Sequence, residues 1–282
     1  MTSEPQTDVI NLAIRDGVAV LTLNRRPVNA LNLAMLNDLA ASLERCADDG
    51  HVHVVIITSA FPKVFSAGAD LQELKEVRLP AEIHDFAARG QAVCNQIESL
   101  PQPVIAAVRG VAPGGACELA MACDLRVAGQ SARLGQPEVN LGIMPGWGGT
   151  QRLPRLIGRT AALELLMTGE MITAERALAL GLVNRVVADD QVLAEAQRIA
   201  EMLLTKPAKS LSWIKQSVRQ GLDHSLIDGL ALEVDLFSQS RATQDAQEGI
   251  QAFIEKRQPH FGTGYQATQK EESIGAKPRS LP

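Results

Sequence analysis

Two glutamates beside glycine-rich turns are the residues of this sequence best suited to acid–base chemistry. Glu118 closely follows Gly114 and Gly115, and Glu138 is the only acidic residue in a Gly- and Pro-rich stretch, 134–150. Two carboxylates on separate rigid elements near one cleft would suit general acid/base catalysis on a small molecule. Simpler roles are also open, since Glu118 could complement a helix dipole and Glu138 could be a solvated loop acid.

The residues around Glu118 favour a buried carboxylate. Its neighbours Cys117, Leu119, Ala120 and Met121 are all apolar, so we expect the Glu118 side chain to be partly buried. A buried carboxylate is costly unless other groups stabilise it. The position therefore requires a structural or functional reason.

Two glycine-rich turns are predicted at the starts of helices. The segment 65–70 (FSAGAD) follows a predicted strand and opens a helix near Leu71, and the segment 110–118 (GVAPGGACE) does the same after strand 104–108. Backbone N–H groups at a helix start have no partner inside the helix and can bind an anionic oxygen. Taken alone, 65–70 is better explained as a tight turn capped by Asp70, because most glycine-rich loops only turn the chain.

The elements that carry these turns have an alternating pattern. Asp16-Gly17 between two β-rich runs predicts a hairpin, and Asn32 is a suitable N-cap for a helix over 33–46. Such strand–helix–strand alternation indicates an α/β fold with a mainly parallel sheet. The predicted strands are 9–14, 18–23, 52–58, 104–108 and 125–128.

The character of the chain changes after about residue 150. From Thr160 to about Arg257 the pattern is nearly all helical, which is typical of a small helical domain or of an oligomerisation layer packed on the first part. The segment 262–282 lacks apolar periodicity, and we expect it to be disordered.

Composition excludes several classes of protein. Of 282 residues, 46% are hydrophobic and 21% charged, so a wholly disordered chain is excluded. A net charge of −5 and 3% aromatic residues argue against nucleic-acid binding, and no apolar stretch approaches the roughly 18 residues of a membrane span. The polar start MTSEPQTD lacks signal-peptide features, and the four cysteines match neither a metal site nor a disulfide framework. We therefore expect a cytoplasmic protein without a membrane or nucleic-acid partner.

Several segments in combination resemble the enoyl-CoA hydratase/isomerase (crotonase) superfamily. The resemblance covers residues 8–261 and is far more specific than any single glycine turn. The segments are LTLNRRPVNALN, VFSAGADLQEL, PVIAAVRGVAPGGACELAMACDLRVA, ARLGQPEVNLGIMPGWGGTQRLPRLIG and ALELLMTGEMITAERALALGLVNRVV.

The resemblance implies a fold, an assembly and a substrate class. The expected fold is a crotonase-like spiral of ββα units over residues 1–200, followed by a helical trimerisation region over 201–261. The family packs such subunits into homotrimers or homohexamers. Its substrates are acyl-CoA thioesters, so CoA enters as part of the substrate, and neither a separate cofactor nor a metal is implied.

The resemblance also assigns roles to individual residues. The backbone N–H groups of Ala69 and Gly115 would form the oxyanion hole for an enolate, and Glu118 and Glu138 would be the catalytic pair. Two departures from the family pattern are Gln72, where a lysine is common, and Ala116, where a third glycine is common. Residues expected to bind CoA or substrate are Arg26, Lys63, Ala67, Ala69, Asp70, Leu71, Gly114 and Gly115.

With both glutamates present, the implied activity is addition of water across the 2,3 double bond of a 2-enoyl-CoA, giving a 3-hydroxyacyl-CoA. Family members that only move double bonds generally lack the first glutamate of the pair. The alternatives are a double-bond isomerase, a hydratase or lyase specialised for branched or aromatic acyl groups, and a crotonase-like RNA-binding or scaffold protein.

Overall fold

Six strands form the main sheet of the computed structural model, which describes residues 9–262. The first two strands pair antiparallel around the predicted hairpin, and every other neighbouring pair is parallel. The strands are β1 (Ile10–Arg15), β2 (Val18–Leu23), β3 (Val54–Ser59), β4 (Val104–Val108), β6 (Leu125–Gly129) and β9 (Arg185–Val187). Their order across the sheet is β1-β2-β3-β4-β6-β9.

A second, three-stranded sheet lies beside the glycine-rich turn at Gly114 and Gly115. Its strands are β5 (Val111–Pro113), β7 (Arg133–Gly135) and β8 (Met171–Thr173), with β7 in the middle. Both β8 and β9 fall between predicted helices in the stretch after Thr160, whose pattern is nearly all helical, and the sequence pattern did not predict them as strands. Three-residue strands are too short to establish a period-2 pattern.

Eleven α-helices in the described part of the chain surround the two sheets. Asn32 caps the first helix as predicted, because its side chain accepts a hydrogen bond from the Met35 N–H at 2.9 Å. The helices are α1 (Leu33–Asp48), α2 (Leu71–Glu76), α3 (Pro80–Ser99), α4 (Gly115–Ala122), α5 (Gly149–Ile157), α6 (Arg159–Thr168), α7 (Ala174–Ala179), α8 (Val192–Leu204), α9 (Ala208–Gly221), α10 (Leu226–Arg241) and α11 (Gln244–Glu255).

The main sheet is covered on both faces, which explains its continuous apolar strands. Every residue of β3 and β4 is buried. Val54 and Ile56 of β3 belong to a small cluster with α8, whereas Val55 and Ile57 belong to the large core on the other face. This alternation is the period of 2 that an extended strand imposes. α4 lies within the large core, with all eight of its residues buried.

A largely buried lysine attaches the C-terminal helices to the core. The Lys215 Nζ of α9 lies 2.7 Å from the Asp124 Oδ2 and donates to the carbonyl groups of Ile97 and Gln102 at 3.1 Å each. Apart from this contact region, α9, α10 and α11 bury few residues. The division of the fold at residue 200, into a spiral core and a helical C-terminal region, stays a prediction.

Two further expectations concern the C-terminal segment and the length of the helices. The predicted disordered segment begins at Gly262, and residues 263–282 lie outside the described part of the chain. Among residues 9–262, no helix is long and apolar enough to cross a membrane.

Candidate active site

The two predicted glycine-rich turns meet in the structure. The Leu31 N–H donates to the Gly68 carbonyl at 2.8 Å, and the Asp70 N–H donates to the Leu31 carbonyl at 3.0 Å. Successive N–H groups of an extended chain point to opposite sides, so the Ala69 N–H points away from Leu31. A methyl group added at Gly115 would lie 3.2 Å from the Ala69 nitrogen. The Ala69 and Gly115 backbones are therefore neighbours.

Both of these N–H groups are available to a ligand. Gly115 is the first residue of α4, where the N–H has no intrahelical acceptor. Within residues 9–262, neither the Ala69 nor the Gly115 N–H donates to another backbone or side-chain group. A methyl group at Gly68, whose φ is +82°, would lie 3.3 Å from the Gly115 nitrogen and 2.7 Å from the Pro113 carbonyl oxygen. The close approach of the two turns thus requires glycine at position 68.

Glu118 is buried and held by two backbone N–H groups. Its side chain lies one turn into α4 and the residue is 2% exposed. The Oε1 atom accepts hydrogen bonds from the Trp147 N–H at 2.8 Å and the Gly149 N–H at 2.7 Å. Burial raises the pKa of Glu118 to about 7, and the charge of Glu138 adds to the rise, although the two N–H donors and Arg152 oppose it.

Glu138 lies against the same end of α4. It belongs to a single 3₁₀ turn, Pro137–Leu141, that follows β7. A methyl group at Gly114, whose φ is +52°, would lie 2.7 Å from the Glu138 Oε1. The Oε2 atom is buried and has no hydrogen-bond partner in the described part of the chain. Burial also raises the pKa of Glu138. Both carboxylates therefore lie at the first turn of α4. Each holds its proton to higher pH than a free glutamate does.

Trp147 supports the base of the site. It is buried against α3, where its ring centroid lies 5.8 Å from that of Phe86. A methyl group at Gly90 of α3 would overlap the indole ring, and one at Gly115 would lie 2.6 Å from it. Trp147 thus fills the space between α3 and the start of α4.

Half of the eight residues expected to bind CoA or substrate lie at the surface. Arg26, Lys63, Ala67 and Leu71 are exposed, and the Arg26 guanidinium carbon lies 5.8 Å from the Phe61 ring centroid. Their positions beside the Ala69 turn are compatible with a ligand that extends outward from the buried glutamates.

Asp70 has a structural environment that the sequence reveals only in part. Its Oδ1 accepts the Gln72 and Glu73 N–H groups, so it caps α2 as predicted. Its Oδ2 lies 2.9 Å from an Arg25 nitrogen, and the Arg25 guanidinium also donates to the Ala30 carbonyl at 2.8 Å. Sequence reasoning singled out Arg26 and missed Arg25, whose contacts fix the Asp70 turn.

Comparison with known proteins identifies the family. Residues 13–264 match the enoyl-CoA hydratase/isomerase family. The chain belongs to that family. This confirms the resemblance found in the sequence, and solved structures confirm the crotonase-type α/β fold.

Relatives of this enoyl-CoA hydratase/isomerase family member align over almost their whole length. The crotonyl-CoA hydratase of Syntrophomonas wolfei is 43% identical over 253 residues, which is 89% of this chain and 97% of the relative. The 2,3-dehydroadipyl-CoA hydratase of Escherichia coli is 44% identical over 245 residues, or 86% and 94% of the two chains. An enoyl-CoA hydratase structure from Geobacillus kaustophilus superposes with a TM-score of 0.88 at 35% identity, covering 92% of this chain and 98% of that one.

The site of this family member contains groups that the sequence did not reveal. The N–H groups of Trp147 and Gly149, which hold Glu118, and the Arg152 side chain beneath them were not predicted. The run of glycines around Trp147 was the available signal, since it shows that the backbone approaches something closely there. In the described residues, no cluster of three or more His, Cys, Asp or Glu side chains could hold a metal ion.

Proposed function

We propose that this protein is an enoyl-CoA hydratase that adds water across the 2,3 double bond of a 2-enoyl-CoA thioester to give a 3-hydroxyacyl-CoA. The observation that carries the proposal is a buried Glu118, anchored by two N–H groups, beside Glu138 and beside the paired N–H groups of Ala69 and Gly115. The relatives named as crotonyl-CoA hydratase and 2,3-dehydroadipyl-CoA hydratase support it.

The paired N–H groups would stabilise the charge that develops during addition. When water adds to Cβ, negative charge builds on the thioester oxygen. Fixed donors on Ala69 and Gly115 would bind that oxygen without reorganising, and one such donor contributes roughly 3 kcal/mol in comparable sites. Because both donors are backbone groups, their positions depend on the glycines at 68 and 115 rather than on a side-chain rotamer.

The two carboxylates would divide the proton transfers between them. The recorded hydrogen bonds to Glu118 both go to Oε1, which leaves Oε2 to hold or deprotonate the water. Glu138, whose buried Oε2 has no partner among the described residues, would help to hold that water and supply the proton to Cα. Two nearby carboxylates do not easily ionise together, so one protonated and one ionised group is the natural resting state.

The proposal extends to ligand, assembly and compartment. CoA would enter as part of the substrate, with Arg26 and Lys63 near its phosphates and Ala67, Asp70, Leu71 and Gly114 lining its path, and no separate cofactor or metal is needed. We also propose a homotrimer or homohexamer without a nucleic-acid or membrane partner. A cytoplasmic location fits the four cysteines, which are all buried free thiols.

Turnover of crotonyl-CoA by the wild-type protein and by Glu118→Gln and Glu138→Gln tests the proposal. Each substitution keeps shape and hydrogen bonding but removes proton transfer, so hydration should fall about 100- to 10,000-fold with little loss of thioester binding. The double variant should be little worse than either single one, because both carboxylates act on one water.

The alternative functions give different results in the same assay. A double-bond isomerase would depend mainly on Glu138 and would leave Glu118→Gln active. A scaffold or RNA-binding protein would show no turnover of any enoyl-CoA. Intact hydration by Glu118→Gln would therefore reject the role assigned to Glu118, whereas a wild type that moves double bonds without adding water would reject the hydratase assignment.

A further inference from the structure

Arg152 connects α3 to the turn that holds Glu118. Its guanidinium makes a bidentate pair with Glu98 of α3, with Nε to Oε1 and Nη2 to Oε2 both at 2.8 Å, and Nη2 also donates to the Asn95 Oδ1 at 2.7 Å. The remaining terminal nitrogen, Nη1, donates to the Trp147 carbonyl at 2.8 Å. The Arg152 side chain is only 12% exposed, so its bonds to Glu98 and Trp147 form largely out of water.

Trp147 links Arg152 to Glu118 through its two backbone groups. The Trp147 carbonyl accepts from the Arg152 Nη1, and the Trp147 N–H donates to the Glu118 Oε1. The adjacent Gly148 has a φ of +115°, and a methyl group there would overlap the Arg152 guanidinium. The guanidinium therefore packs directly under the 147–149 turn whose two N–H groups hold the carboxylate.

We propose that Arg152 is a positioning residue for the reaction, which fixes the 147–149 turn and with it Glu118, and which places a compensated positive charge behind that carboxylate. The inference rests on the proposed hydratase function, because it assigns Glu118 the role of binding the water. The recorded contacts of Arg152 in this region go to Trp147 and to the space beside Gly148, so it acts through the 147–149 turn.

The charged groups around Glu118 determine how Arg152 should change the pKa of Glu118. The titratable and charged groups that face it are Glu138 from the 3₁₀ turn, Arg152 from α5, Cys94 from α3 and Cys117 from α4. Burial raises the pKa of both thiols, that of Cys117 to about 12, so both are neutral at working pH. The charges that affect the pKa of Glu118 are therefore those of Glu138 and Arg152, and the charge of Glu98 partly neutralises that of Arg152.

The competing explanation is that Arg152 only fastens α5 to α3. A fastening role predicts that Arg152→Gln and Glu98→Gln have the same effect, because both break one ion pair. The positioning role predicts opposite effects on Glu118, because Arg152→Gln removes the positive charge and Glu98→Gln leaves it uncompensated.

The test is the pH profile of crotonyl-CoA hydration by three variants, with Arg155→Gln as the matched control. Arg155 lies on the same helix but is half exposed and pairs with Asp223 at 3.7 Å. For Arg152→Gln we expect kcat to fall about 100-fold with KM nearly unchanged, because a small misplacement of a catalytic group lowers the rate by about this factor. Its acidic limb in kcat/KM should move to higher pH, and that of Glu98→Gln to lower pH.

Arg152→Lys separates charge from geometry. It keeps the positive charge but loses the planar fork, so its acidic limb should stay near that of the wild type while kcat remains low. An unmoved limb in Arg152→Gln, or limbs that move the same way in Arg152→Gln and Glu98→Gln, would overturn the inference. If Arg152→Gln does not fold, an unmoved limb in Glu98→Gln has the same meaning.

A second readout keeps the two proposals distinguishable. Infrared titration of the protonated carboxyl, taken as the difference between each protein and its Glu118→Gln counterpart, follows Glu118 without turnover. Absence of turnover in the wild type would reject the hydratase function alone. Glu118 titrating identically in the wild type, Arg152→Gln and Glu98→Gln would reject the positioning role alone.

Discussion

At the scale of single residues, the buried Glu118 lowers the stability of the folded protein when it ionises, while its raised pKa suits the proposed proton transfer. Its folded pKa of about 7 lies above the ordinary value of 4.5, so the folded protein binds the proton more tightly than the unfolded chain. Between those two pH values the unfolded state releases its proton first, and the free energy of unfolding falls as pH rises. A shift of this size corresponds to about 3 kcal/mol, fully lost above about pH 7.

We therefore predict that Glu118→Gln is more stable than the wild type at about pH 8, with a smaller difference at about pH 4.5. The measurement is urea unfolding of both proteins at matched concentration across this range, with the exposed Glu44→Gln on α1 as the control. A Glu118→Gln advantage that does not change with pH would show that the wild-type carboxylate is ionised without cost.

The residues that the sequence could identify are those whose chemistry is local. Asn32 and Asp70 were recognisable as caps, because a cap bonds backbone groups two or three residues away. Glu118 was recognisable from its apolar neighbours. Its actual partners lie 29 and 31 residues further along the chain, and no local pattern specifies which distant N–H groups a buried carboxylate will find.

At the scale of elements, the same distinction explains which parts of the fold were predictable. The hairpin, the buried strands of the main sheet and the long helices follow from periodicity and capping residues. The small sheet of β5, β7 and β8 was not predictable, because it consists of three-residue strands joined by long-range pairing. That sheet matters for the site, because the Gly114 N–H donates to the Gly135 carbonyl at 2.9 Å and sets the start of α4.

The contact of α3 with Trp147 gives a prediction at this scale. Alanine favours a helix over glycine by about 1 kcal/mol, so Gly90→Ala in α3 should stabilise the protein if only the helix mattered. The new methyl group would overlap the Trp147 ring, and the indole cannot move without disturbing Gly115 and the N–H that holds Glu118. We predict lower stability and at least about tenfold lower turnover.

Gly221→Ala in α9 is the matched control for this substitution. Its methyl group would meet its nearest neighbour at 3.8 Å, an ordinary contact, so activity should be unchanged. The measurements are thermal unfolding and crotonyl-CoA turnover for both variants. Full activity in Gly90→Ala would show that Trp147 can shift without affecting the carboxylate.

At the scale of the whole molecule, the C-terminal helices present an apolar surface that the single chain leaves uncovered. We call it the C-terminal apolar surface; Phe253 of α11 is 85% exposed, and large apolar side chains of α9 and α10 are similarly open. Large apolar side chains grouped in this way on the surface of a soluble protein usually mark an interface. Its members are Ile214, Val218, Leu222, Leu226, Ile227, Leu230, Val234, Phe237, Ile250, Phe253 and Ile254.

We predict that this surface is covered by further copies of the chain in a homotrimer or homohexamer. Light scattering should give three or six times the chain mass of 30.2 kDa at micromolar concentration. A stable interface buries about 800 Å² per partner and depends on a few large apolar side chains, so the double substitution Ile227→Glu and Phe253→Glu should reduce the mass to that of smaller species. Ile14→Glu, which changes a half-exposed apolar residue of β1, should leave the mass unchanged.

The same experiment decides whether assembly matters for the site. The glutamates and the paired N–H groups all belong to one chain and rest on the main core, whereas α9 is fastened to that core through Lys215. A dissociated variant should therefore keep its fold, and its turnover measures how much the active site depends on neighbouring copies. A wild-type protein that is monomeric and fully active at micromolar concentration would show that the C-terminal apolar surface serves another partner.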